Sequence, residues 1–187
     1  MKGLLRLVGI GLLLLLAQAI ARIALPRVAA PDLVLVYALA LGLRGGGVQG
    51  LVLAFGAGFV EDVLSASPPG LFALLCGTAC AATRLLDRAL YLRAAAPWAC
   101  YVGVYTLANF ALFGGAQRMF SPEAALPWSE LLMRAPGTAI TTALCAAPLL
   151  HVFRRLLVEA AGSSITVPWR PTSAWSSRSR ARSWGPR

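Results

Sequence analysis

Three acids hold most of the chemical potential of this chain: Asp32, Glu61 and Asp62. Carboxylates brought together can share a proton, serve as general acid and base, or bind a cation. Glu61 and Asp62 close an apolar stretch that begins at the glycines Gly45 to Gly47, and Asp32 stands in Pro31-Asp32-Leu33 at the start of another. An ionised carboxylate at a bilayer centre costs about 2.5–3.5 kcal/mol on insertion scales, and less towards the interface. Acids at the ends of spans are therefore tolerated without a catalytic task. Facing a bundle interior, they could bind a cation, relay protons or cap neighbouring helix N-termini. Capping and loop anchoring need the fewest assumptions.

No catalytic constellation accompanies the acids. His151 is the single histidine and Lys2 the single lysine, so no Gly-rich loop carries the lysine that a phosphate-binding loop requires. The glycines from Gly45 to Gly50 read as a turn and a packing feature. No serine sits in a nucleophile elbow. Cys76 and Cys80 are one helical turn apart, but a structural zinc site needs four ligands at compact spacings. With Cys100 and Cys145, they read as small buried hydrophobes. The chain is expected to be no enzyme, with no metal site and no cofactor.

The elements that must position these residues are membrane helices. Hydrophobic residues make up 58% of the 187 positions and charged residues 13%. Soluble domains run near half apolar and a quarter charged. The class is an all-α polytopic membrane protein, one transmembrane domain over residues 1–160 with a tail over 161–187. The formal net charge of +10 would suggest nucleic acid in a soluble protein. Here the arginines flank apolar segments, as topology determinants do, and no nucleic-acid partner is expected.

About six spans are expected, several of them short. Leu7 to Ala21, continuing towards Leu25, makes the first; its basic start and Ala17-Gln18-Ala19 also fit a cleavable signal peptide, but a retained helix suits the long run better. Val28 to Leu43, Val48 to Val60 and Gly70 to Thr83 follow, then Ala95 to Phe113 and Ala135 to Phe153. The second to fourth fall short of the roughly 20 residues that cross a bilayer core. Gly114 to Arg134, with Ser121-Pro122-Glu123 and Pro127-Trp128-Ser129-Glu130, reads as a surface excursion. Tyr91 and Trp98 suit an interface.

Charge asymmetry sets the orientation. With both termini cytoplasmic, the inner parts hold Lys2, Arg6, Arg44, Arg84, Arg88, Arg93, Arg154, Arg155 and five tail arginines, 13 of the 17 basic residues. Arg22, Arg27, Arg118 and Arg134 fall in or beside the outer half, as the positive-inside rule requires. Asp32, Glu61 and Asp62 then form an outer rim. The tail is rich in serine, proline and arginine, with Trp169, Trp175 and Trp184; it reads as a solvated, disordered segment or one held on the anionic inner leaflet.

Small residues recur every four positions at Gly46, Gly50, Ala54 and Gly58, and Asp62 continues the series. Residues four apart share a helix face. A face nearly without side chains lets another helix approach its backbone, a main way of packing helices in lipid. The stripe is a candidate for internal packing or for docking a partner.

The pattern Pro31-Asp32-Leu33, Leu43-Arg44-Gly45 to Gly50, Gly56-Ala57-Gly58-Phe59 with Asp62, Leu64-Ser65 and Pro69-Gly70-Leu71 resembles the rod shape-determining protein MreD family. The motif positions are Pro31, Asp32, Leu33, Arg44, Phe59, Asp62, Pro69 and Gly70. Two departures stand out: the long Ser/Arg/Trp tail, and Ser67-Pro68-Pro69 in place of a glycine-containing turn. The resemblance implies a multi-pass protein of the bacterial inner (cytoplasmic) membrane, a scaffold of the cell-elongation complex that guides lateral peptidoglycan synthesis. It implies as partners a bitopic MreC-like protein, with MreB, RodA and a class B penicillin-binding transpeptidase in the same complex. The family fold is also similar to substrate-binding components of energy-coupling-factor transporters, which keeps a small-molecule uptake component as the alternative. Such a component would gather polar groups such as Asp32, Glu61, Asp62, Gln117, Glu123, Trp128 and Glu130 around an outer pocket.

Overall fold

The computed structural model describes residues 2–24, 30–43, 47–65, 69–90, 94–120 and 127–161. They form six helices and, among the described residues, no strand. These are α1 (Lys2–Ala24), α2 (Leu33–Leu43), α3 (Gly47–Ser65), α4 (Leu71–Leu90), α5 (Ala95–Phe120) and α6 (Trp128–Ala161). Four of them, α1, α3, α5 and α6, are long and apolar enough to cross a membrane. The chain is a multi-pass membrane protein. Gly46, Arg44, Tyr91, Ser121 to Glu123, Ser67-Pro68 and the 162–187 tail, all singled out in the sequence, lie outside the described residues.

The bundle is built around α2. Every residue from Leu33 to Gly42 is buried, and each of the other five helices packs against it. A helix that is apolar on all sides belongs in the interior, and LVLVYALALGL is such a sequence. Tyr37, near its middle, donates its hydroxyl to the Leu7 carbonyl of α1 (2.9 Å) and lies 5.8 Å, ring to ring, from Phe153 of α6. The start of α1 and the later part of α6 therefore lie on the same side.

Two antiparallel hairpins enclose α2. In the first, α3 runs back along α4, so that Gly58 meets Phe72 and Gly77 meets Phe55. In the second, Trp98 of α5 donates its indole N–H to the Ala146 carbonyl of α6 (3.1 Å), and Gly114 lies under Leu131. The hairpins are joined through hydroxyls: Thr83 with Tyr101 at 3.0 Å and Thr78 with Tyr105 at 3.4 Å.

Most helices run longer than the sequence expectation. The third helix runs on to Ser65 and the fourth to Leu90, 19 and 20 residues, so only α2 is short. At 1.5 Å per residue, α3 and α4 reach about 30 Å, the thickness of a bilayer core. The expected ends at Val60 and Thr83 assumed that charge stops a span. Glu61 and Asp62 are instead paired within the protein, and the helix passes through them. Likewise α5 continues to Phe120 and α6 begins at Trp128, so most of the expected Gly114 to Arg134 excursion is helical. In the other direction, α2 starts at Leu33, five residues later than expected, after the non-helical Ala30–Asp32 segment. Of the four cysteines, Cys76 and Cys80 are buried, Cys145 is half-buried and Cys100 is exposed on α5, so the expectation of uniform burial fails there.

Candidate functional site

Asp62 stands one turn before the end of α3, with its carboxylate over the start of α4. Its Oδ2 accepts from the backbone amides of Gly70 (3.0 Å) and Ala73 (3.1 Å), and its Oδ1 from that of Phe72 (2.9 Å). The first amides of a helix have no partner inside it and carry the positive end of its dipole. A carboxylate placed there from the preceding helix satisfies two of them, together with the amide of Gly70 just before the helix, and locks the hairpin. Gly70 adopts a left-handed backbone (φ 92°), the region that favours glycine. That explains the Pro69-Gly70 pair of the motif.

The small-residue stripe leads up to this carboxylate. Gly50, Ala54 and Gly58 are buried on the inward side of α3. A Cβ on Gly58 would lie 2.5 Å from the Phe72 carbonyl oxygen and 2.7 Å from the Ala73 Cα, so no larger residue fits. At Gly50 the nearest atom, the Leu41 carbonyl oxygen of α2, would be 3.4 Å away, an ordinary contact. Gly42 of α2, which the stripe argument missed, is as tight as Gly58: its Cβ would meet the Cys80 carbonyl at 2.5 Å. Phe59, a motif position, points outward and is exposed.

Glu61 is buried one residue away and faces α1. Its Oε1 accepts from Gln18 Nε2 (2.6 Å) and from Arg22 Nη2 (2.5 Å). Gln18 passes the connection on, its Oε1 accepting from the Val34 amide at the start of α2 (2.8 Å). Close by, the Asp32 carboxylate accepts from the Leu35 amide (3.0 Å), an N-terminal cap of α2, while the Asp32 amide donates to Thr142 Oγ1 of α6 (3.0 Å). Four helices are thus joined through polar groups at this end of the bundle.

The three acids collect at one end of the molecule, as their sequence positions suggested. Gln18, Arg22 and Thr142 were missed as their partners. Gln18 and Arg22 left a signal, since two polar residues four apart in a leucine-rich run share one face. Thr142 is one of several threonines in α6 and left none. Among the described residues, no three His, Cys, Asp or Glu side chains gather as a metal site would require.

Asp32, Glu61 and Asp62 each accept from a backbone or side-chain donor of the fold. The family model described as rod shape-determining protein MreD matches residues 2–134. The chain belongs to the MreD family. That is a shape-determining family rather than a known enzyme family, and membership assigns the chain to rod shape determination. The match runs from the first helix into the start of α6, well beyond the Pro31–Leu75 region where the motif is clearest. No curated protein and no solved structure matches the chain.

Proposed function

We propose that the protein is a membrane scaffold of the bacterial cell-elongation complex, lying in the inner membrane with both termini cytoplasmic. On this reading it docks the transmembrane helix of an MreC-like bitopic partner, and through it meets MreB, RodA and a class B penicillin-binding transpeptidase. The observation that carries the proposal is the division of labour on α3. Its small-residue face is filled by α2 and α4, which leaves no room there for a partner. The opposite face exposes Val52, Gly56, Phe59 and Val63, one stripe at helical spacing. A Cβ on Gly56 would meet nothing within 4 Å. An exposed apolar stripe with a glycine at its centre lets a single helix come close.

Copurification tests this. A tagged chain taken gently from its native membrane should bring down a bitopic periplasmic partner and wall synthases, identified by mass spectrometry. Gly56→Leu should abolish recovery of the bitopic partner while leaving yield and dispersity unchanged. Recovery of paired ATPases with a long membrane coupling subunit would instead make the chain a solute-binding component.

A further inference from the structure

A cavity of about 350 Å³ opens between the end of α1, the Ala30–Asp32 segment, the first turn of α4 and the facing parts of α5 and α6. It lies at the end that the basic-residue pattern assigns to the outside. Phe72, Phe110, Phe113 and Leu131 supply apolar wall, and the Phe72 and Phe113 rings are 4.9 Å apart. Asn109 also lines it, only 6% exposed, and its Oδ1 has no hydrogen-bond partner among the described residues. Buried amide oxygens are nearly always paired, so this one needs an explanation.

Two arginines, Arg22 and Arg134, line the same cavity. Among the described residues, Arg22 donates one N–H to Glu61 and Arg134 one to Glu130. A guanidinium has five N–H groups, so each keeps donors for something else. Asp32 lies on the wall too, but its Oδ1 is turned to the Leu35 amide of its own helix. Apolar walls, a few convergent polar groups and this volume are the ordinary marks of a small-molecule pocket.

We propose that this cavity binds an anionic amphiphile with a hydroxylated phosphate head. Its apolar chain lies against the phenylalanines, its phosphate takes the free N–H groups of Arg22 and Arg134, and a head hydroxyl donates to Asn109 Oδ1. Thr138, largely buried on the same wall, offers a further hydroxyl. Arginine suits phosphate because its planar donors match the phosphate oxygens. A bilayer lipid supplies both the chain and the head, whereas a soluble glycerophosphate compound supplies the head alone.

The test uses the full chain in an uncharged detergent, titrated with dihexanoyl-phosphatidylglycerol, dihexanoyl-phosphatidylcholine and glycerol 3-phosphate. Binding is followed by calorimetry and by native mass spectrometry. The phosphatidylglycerol should saturate at one per chain, with the phosphatidylcholine at least tenfold weaker. Asn109→Leu, which keeps the bulk and removes the hydrogen bonds, and Arg134→Gln should each weaken phosphatidylglycerol at least tenfold without changing helical content. Should Asn109→Leu fail to fold, Thr138→Val takes its place, with a severalfold loss expected. No measurable binding of glycerol 3-phosphate would support a lipid; binding within tenfold of phosphatidylglycerol would mean that the apolar chain adds nothing and would overturn the amphiphile. Equal affinity for the two lipids, unchanged affinity in the variants, or no binding of any probe would overturn the proposal.

Discussion

Glu61 and Asp62 are neighbours in the chain and both are almost fully buried, yet they are held by different chemistry. Asp62 is met by three backbone amides at the start of the helix that follows it, all within 11 residues. Glu61 is met by two side chains of α1, about 40 residues away. Backbone donors are fixed once the helix forms, so the Asp62 junction is rigid and local. Side-chain donors must themselves be held in place, and Arg22 is half exposed, so the Glu61 junction is long-range and adjustable. One carboxylate closes a hairpin; the other ties that hairpin to the rest of the bundle.

The comparison can be broken most severely at Gly58. Gly58→Leu drives a side chain into the Phe72 backbone, which cannot rotate away, and should destabilise the protein by about 4 kcal/mol or more. Denaturant unfolding in detergent and the yield of monodisperse protein would register it. Gly50→Leu is the milder partner, because its nearest neighbour lies at ordinary contact distance.

Asp62→Ala removes all three acceptor contacts and should cost about 3 kcal/mol, seen as a lowered unfolding midpoint. Asp62→Asn is informative because both carboxylate oxygens accept. The amide must turn its NH₂ towards either Phe72 or the Gly70 and Ala73 pair, placing donor against donor. A clear loss of stability is therefore expected even though size is kept. An Asn variant as stable as the native chain would show that the cap matters less than its geometry suggests.

On the other side of the comparison, Gln18→Leu strands the Val34 amide and leaves Glu61 with Arg22. About 1–3 kcal/mol is expected, together with faster hydrogen exchange at the start of α2. The smallest effect belongs to the Glu130–Arg134 pair, four apart on one helix and well exposed. Glu130→Ala should change stability by no more than about 0.5 kcal/mol.

How much of this was legible in the sequence differs between the two junctions. Spacing alone placed Gly50, Ala54, Gly58 and Asp62 on one face, and the structure buries that face against α2 and α4. Local periodicity carries such information because the residues involved are close in the chain. Gln18 and Arg22 stand out in the sequence as a polar pair, but nothing near residue 61 points to them as its partners. The same blindness shortened the expected third helix, because the cost of a charge in lipid depends on distant donors. Gly42 and Gly77 were hidden for a related reason: close approach shows in a sequence only when small residues repeat. The apolar run of α2 was read only as a short span; its burial by all five other helices was not read from the sequence.

The buried position of α2 also bears on how the protein is made. Membrane helices ordinarily enter the bilayer one by one and associate afterwards. Eleven residues reach only about 16 Å, roughly half the hydrocarbon thickness. Too short to span alone, α2 depends for its depth in the membrane on the helices packed around it.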